Sequence, residues 1–174
     1  MSCGGYRRGM DLLNHDPGRE IWTPPGGPPQ TDRIPAAVYQ AMGEDGIVAF
    51  TRAFYRRLSM SSIARMFPKG ERNLMAAADK SAAMNVFLMG GPHLYQQRYG
   101  PPRLRMRHFP FVIDEAARRE WMRCFRETLA EAPAQFGMPA EHVGAVEKFY
   151  DDFSKWMVNA KGEETERRRD GETE

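Results

Sequence analysis

Between residues 34 and 157 the apolar residues recur every three or four positions and nowhere alternate, which limits the chain to packed helices. Val38 and Met42, then Ile47, Phe50, Phe54 and Leu58, mark one amphipathic stretch from Ile34 to Leu58. It is interrupted by Gly43-Glu-Asp-Gly46, where glycine readily turns or stops a helix, so two tightly joined helices are expected. Leu74, Met75, Ala78, Ala82, Val86 and Met89 mark a second stretch over 72–89, stopped by Gly90-Gly91-Pro92. Asp114 is placed to cap a third helix, whose apolar face is Ala117, Trp121, Cys124, Phe125 and Leu129. The segment from Pro133 to Pro139 is expected to separate it from a last helix carrying Val143, Val146, Phe149, Tyr150, Phe153, Trp156 and Met157. No segment has a strand's period of two, so the predicted class is all-α.

The flanks are of another kind. Residues 1–33 are rich in glycine, proline and charge, including TPPGGPPQTD at 23–32, and predict an extension with little regular structure. Within it Leu12, Leu13, Ile21 and Trp22 are the apolar exceptions, equally suited to packing on the helical body and to a loose arm. The tail, residues 161–174, carries no apolar residue from 162 onward and predicts a solvated, disordered end. The 34–160 stretch between them is long enough for one core and too short for two. A net charge of +2, from 25 basic and 23 acidic side chains, gives no bulk field to recruit nucleic acid or an anionic membrane. Cys3 and Cys124 lie far apart, which suits a reducing compartment, and no apolar run reaches signal-peptide or membrane-spanning length. The expectation is a soluble cytoplasmic protein with no membrane or nucleic-acid partner.

Chemistry concentrates in GGPHLYQQRYGPPRLRMRHFPFVIDEAARREWMRCF, residues 90–125. A histidine between Arg107 and Phe109 is, by itself, as compatible with a half-buried structural side chain as with a metal ligand. The surrounding pattern is more specific. Gly90, Gly91, Pro92, Tyr95, Arg98, Gly100, Pro102, Arg103, Leu104, Arg105, Met106, Arg107, His108, Pro110, Phe111, Trp121, Arg123 and Cys124 stand in the register of a known signature. With them the chain resembles the truncated (2-on-2) haemoglobins, in particular their second group. The resemblance covers roughly residues 34–160 and implies a 2-on-2 helical sandwich around haem. The chain departs from the family pattern in three places, one of them Ser81, which stands where leucine or glutamine is common. Gly43 and Gly46 are three apart where the family usually has adjacent glycines, and the interval from Phe67 to Gly90 is about two residues longer.

Haem b is an apolar plane with two carboxylates at one edge and an iron needing a nitrogen ligand, so it asks for apolar walls, rim cations and a neutral imidazole. The resemblance implies His108 as proximal ligand, and the lack of a C-x-x-C-H motif implies non-covalent haem. It places Lys80 and Arg107 at the propionates, where an exposed ion pair contributes about 0–1 kcal/mol. It places Leu104, Met106, Phe111, Val112 and Ile113 on the proximal side, with Met84 and Tyr95 also in the pocket. On the distal side it implies Tyr55 and Trp121 as hydrogen-bond donors and Phe67 on the haem face. Ala77 falls where many globins carry a distal histidine, and would leave an apolar entry. Ser81, one turn on, either joins Tyr55 and Trp121 or bonds the preceding turn of its own helix.

Three functions follow from these residues. The first is reversible binding of dioxygen or another diatomic ligand such as NO or CO, for storage, sensing or oxygen transport. The second is a haem enzyme, a nitric oxide dioxygenase or a peroxidase-like catalyst; with no flavin or nicotinamide motif in the chain it would need an external reductase. The third is a haem-free helical interaction module.

Overall fold

A computed structural model describes residues 18–162; the expectations for Cys3, Leu12, Leu13 and the tail from 163 onward lie outside the described residues. Six α-helices follow one another: α1 (Ala37–Ser59), α2 (Glu71–Leu88), α3 (Leu94–Tyr99), α4 (Leu104–His108), α5 (Glu115–Gln135) and α6 (Val143–Met157). Short 3-10 turns, Ala64–Met66 and Ala140–His142, precede α2 and α6. Among the described residues there is no strand, as the three- and four-residue period requires.

α1 packs on α2, α5 packs on α6, and α1 also meets α5, so two helix pairs face each other in the sandwich the resemblance implied. The residues that made α1 amphipathic form the seam. Val38, Ile47, Phe50 and Leu58 have no exposed surface, and Phe125, Leu129 and Val146 meet them from α5 and α6 with at most 1% exposed. Phe50 stands edge-on to Phe125 at 5.8 Å, the arrangement that ring quadrupoles favour. Each such side chain contributes about 1.5–3 kcal/mol through removal from water.

The glycine pair in α1 divides two tasks. Gly43 breaks the helix with φ 64° and ψ −178°, a conformation that costs residues with a Cβ dearly. Gly46 lies so close to the end of α5 that a Cβ would stand 2.9 Å from the carbonyl oxygen of Phe136. The two joined helices are therefore one kinked rod, bent at the first glycine and held against α5 at the second.

Asp114 caps α5 as expected, its carboxylate accepting from the Ala117 N–H at 2.7 Å. Pro133 does not end that helix, which runs on to Gln135. A proline two residues before the end forfeits a single hydrogen bond in the last turn, a small penalty where Ala132 is fully buried beside it. α3 and α4 carry no periodic signal of their own in the sequence. With six and five residues they are too short to show one, or to stand without tertiary support.

Residues 18–36 carry no helix, but they are not loose: the Trp22 N–H donates to the Asn159 carbonyl at 3.0 Å, just beyond α6. Among the described residues no helix is long and apolar enough to cross a membrane.

Candidate functional site

His108 closes α4, a helix entered through Arg103 in the left-handed region at φ 38°. Its Nδ1 lies 2.6 Å from the Leu104 carbonyl oxygen one turn back. A carbonyl only accepts, so Nδ1 carries the proton and Nε2 keeps a bare lone pair. Burial pushes the imidazole pKa below its ordinary value, outweighing the opposite pull of the Leu104 carbonyl. The result is a neutral ring of fixed tautomer, the form in which imidazole binds a metal. Phe111 lies 6.3 Å away, ring to ring. Leu104 packs with buried Met84 and Tyr95 in a small apolar cluster distinct from the main core. Met106 and Val112 are exposed, 57% and 54%, and are not brought to this cluster. Ile113 acts through its backbone, its N–H donating to the Asn159 side-chain oxygen at 3.1 Å.

Away from this cluster, the half-buried Tyr55, Phe67 and Trp121 line the edge of the main core. Tyr55 stands edge-on to Phe67 at 5.7 Å. Trp121 stacks on Phe125 at 5.4 Å and meets the Phe54 edge at 5.0 Å, which fixes its ring plane. Burial raises the Tyr55 pKa, and the Ser81 side chain beside its hydroxyl offsets part of that rise. Ala77 is half-buried one turn earlier on α2 and brings no polar group.

Behind Trp121 runs a polar chain that the periodic pattern concealed. The Tyr150 hydroxyl donates to Asn85 Oδ1 at 2.8 Å, Asn85 Nδ2 donates to Thr51 Oγ1 at 3.0 Å, and Thr51 Oγ1 donates to the Ile47 carbonyl at 2.8 Å. It links α6, α2 and α1, and the Tyr150 ring lies 6.2 Å from that of Trp121. Burial drives the Tyr150 pKa far up, so it remains a neutral donor. Asn85 alone gave a signal, an amide inside the apolar run Ala-Ala-Met-Asn-Val-Phe.

Lys80 and Arg107 complete the site. Lys80 Nζ lies 5.1 Å from the Tyr99 ring centre and the Arg107 guanidinium 5.8 Å from that of Tyr95. Burial lowers the Lys80 pKa, and the Arg107 charge nearby lowers it further. Neither cation has a carboxylate partner among the described residues, unlike Arg52, Arg57 and Arg118, which bridge helices through Asp79, Glu131 and Asp151. Two like charges held together without a counter-ion make a place for an anion. Among the described residues no three His, Cys, Asp or Glu side chains converge to cage a bare ion. A neutral imidazole, two apolar clusters and two cations without a carboxylate partner fit an apolar, dianionic ring that brings its own metal.

Comparison with known proteins agrees with that geometry. The model of the bacterial-like globin family matches residues 37–158. The group 2 truncated haemoglobin YjbI of Bacillus subtilis (strain 168) is 31% identical over 94 residues, which is 53% of this chain and 69% of the relative. Among solved structures, phosphate-bound Hell's gate globin IV superimposes with a TM-score of 0.71 at 28% identity, over 77% of this chain and 81% of the other. The truncated oxygen-avid haemoglobin from Bacillus subtilis superimposes with a TM-score of 0.61 at 27% identity, over 70% of this chain and 98% of the other. The group II truncated haemoglobin from Bacillus anthracis gives 0.64 at 25% identity, over 71% and 97%. The chain belongs to the bacterial-like globin family, among its group II truncated haemoglobins.

Proposed function

We propose that the chain binds haem b non-covalently, with His108 as its proximal ligand, and takes dioxygen or another diatomic ligand on the opposite side. The observation that carries this reading is the 2.6 Å hydrogen bond from His108 Nδ1 to the Leu104 carbonyl, which leaves Nε2 unprotonated in a site that disfavours the imidazolium. When bound, haem supplies an iron with one position for an imidazole and one for a small ligand, and two propionates at its rim.

The chain's own residues do the rest. Lys80 and Arg107 supply positive charge for the propionates, and the Tyr95, Met84 and Leu104 side chains supply an apolar wall. Tyr55 and Trp121 are donors to a diatomic ligand on which negative charge builds. A hydrogen bond to a charged acceptor contributes about 1.5–3 kcal/mol, about ten- to hundredfold in affinity. Ser81 orients the Tyr55 hydroxyl, and Phe54 and Phe125 hold the Trp121 plane. Ala77 leaves the route past α2 apolar and narrow in side-chain bulk. One structural neighbour is an oxygen-avid haemoglobin, and two donors on one side suit slow release here as well.

The test is a spectral titration of the reduced, haem-loaded protein with dioxygen. The proposal expects a spectral change that reverses when dioxygen is removed. Absence of any change, with haem demonstrably bound, contradicts it.

A further inference from the structure

Asn159, one residue past the C-cap of α6, is fully buried and uses every hydrogen-bonding group it has. Its Nδ2 donates to the carbonyl of His108 at 3.0 Å. Its Oδ1 accepts from the Ile113 N–H at 3.1 Å and from Arg19 Nη2 at 3.2 Å. Its backbone N–H donates to the Ile113 carbonyl at 2.8 Å, and its carbonyl accepts from the Trp22 N–H and from Arg19 Nη1, both at 3.0 Å. One asparagine thus joins the segment that follows α4, the end of α6 and the N-terminal arm.

Arg19 reaches the same segment directly, its Nη2 donating to the carbonyls of Phe109 at 2.9 Å and Phe111 at 3.2 Å. From within α4, Arg105 bonds the carbonyls of Trp156, Val158 at 3.1 Å and Trp22 at 2.9 Å, and lies 4.3 Å from the Trp156 ring. α4 has five residues and cannot hold its own geometry, so the direction of the His108 side chain is set by what grips the backbone around it. The carbonyls of residues 108, 109 and 111 are gripped by two side chains, one of them from the arm.

We propose that Arg19 and Asn159 are positioning residues for His108: a clamp through which the N-terminal arm fixes the direction and stiffness of the proximal ligand. The inference rests on the reading of His108 as the iron ligand. A buried side-chain amide with all its partners satisfied, reinforced by a guanidinium donating to three carbonyl oxygens, permits one arrangement and penalises others. Releasing it lets the His108 backbone shift and gives Nε2 a range of directions, which weakens its bond to the iron.

The test uses the full chain loaded with haem, in wild type, Arg19→Ala, Arg19→Lys, Asn159→Asp and Arg126→Ala. Asn159→Asp keeps the oxygen that Ile113 and Arg19 use and puts a charged, acceptor-only oxygen in place of the donor to the His108 carbonyl. Arg126→Ala removes ion pairs to Glu147 and Asp151 away from the clamp and serves as the control for stability alone. The readouts are the iron–histidine stretching band of the reduced, ligand-free protein and the rate of haem transfer to an excess of apomyoglobin. Amide hydrogen exchange of residues 104–111 in the haem-free chain reads the clamp without iron.

The expected result is a shifted or broadened stretching band and roughly tenfold faster haem loss in Arg19→Ala and Asn159→Asp, with partial rescue in Arg19→Lys. Exchange over 104–111 rises in the same two variants, and Arg126→Ala matches wild type. A band and a haem-loss rate unchanged in both variants overturn the clamp while His108 ligation stands. A wild-type protein that takes up no haem overturns both.

Discussion

The buried Tyr55 hydroxyl, near the C-terminal end of α1, has the Ser81 side chain of α2 close enough to offset part of the rise that burial gives its pKa. Removing the Tyr55 hydroxyl is expected to speed dioxygen release about tenfold, and Trp121→Phe likewise. Ser81→Ala leaves the phenol in place and is expected to have a smaller effect in the same direction. Stopped-flow displacement of dioxygen by carbon monoxide measures all three; equal rates in every variant would remove the distal model.

Tyr150→Phe is expected to destabilise the chain by about 1–3 kcal/mol, because it leaves Asn85 Oδ1 buried without a donor. Thermal unfolding should show a midpoint several degrees lower, at about 2–4 °C per kcal/mol for a domain of this size. A midpoint unchanged from wild type would mean that water or a rotated amide replaces the tyrosine.

The glycine pair in α1 yields opposite expectations from a third glycine. Gly46→Ala drives a methyl to 2.9 Å from a backbone oxygen, and Gly43→Ala forces a conformation that glycine alone adopts readily, so each should cost about 1–3 kcal/mol. Gly144→Ala, in the first turn of α6 with nothing within 4 Å of its added carbon, should instead be neutral or stabilise by up to about 1 kcal/mol. Denaturant midpoints of the three variants decide it.

The Arg52–Asp79 pair, at 2.7 Å, links α1 to α2 and holds the Asp79 carboxyl below its ordinary value of 3.8. A carboxyl with a lowered folded pKa adds stability that is present above pH about 4 and lost as the pH falls through the lower folded value. Both side chains are more than 40% exposed, so the gain is below about 1 kcal/mol. Asp79→Asn should therefore be slightly less stable than wild type near neutrality, and the two should converge once the pH falls below the lowered pKa of the folded Asp79. Curves that stay parallel into acid would assign the difference to something other than this carboxylate.

The helical period was enough to read α1, α2, α5 and α6, because each presents several turns of one apolar face to a partner. α3 and α4 have too few turns to carry a period, and only the motif around His108 marked where they lie. Pro133 read as a boundary because a proline breaks a helix interior, yet near the end of a buried helix it breaks almost nothing. Tyr55, Phe67 and Trp121 stood out only through their joint register with His108, and the structure brings all three to the edge of the main core. Asn159 left no trace, since five of its six bonds involve backbone groups, which no side-chain pattern encodes. Trp22 looked like a stray apolar residue in a proline-rich arm, and its backbone N–H reaches the body by donating to the Asn159 carbonyl.

The central claim is that His108 Nε2 is the ligand to iron. The most direct measurement is the visible spectrum of the reduced, haem-reconstituted chain beside that of His108→Gly, with and without millimolar imidazole. Wild type is expected to show a Soret band that is lost or displaced in His108→Gly and returns when imidazole fills the cavity left by the side chain. A His108→Gly spectrum identical to wild type in the absence of imidazole would contradict it.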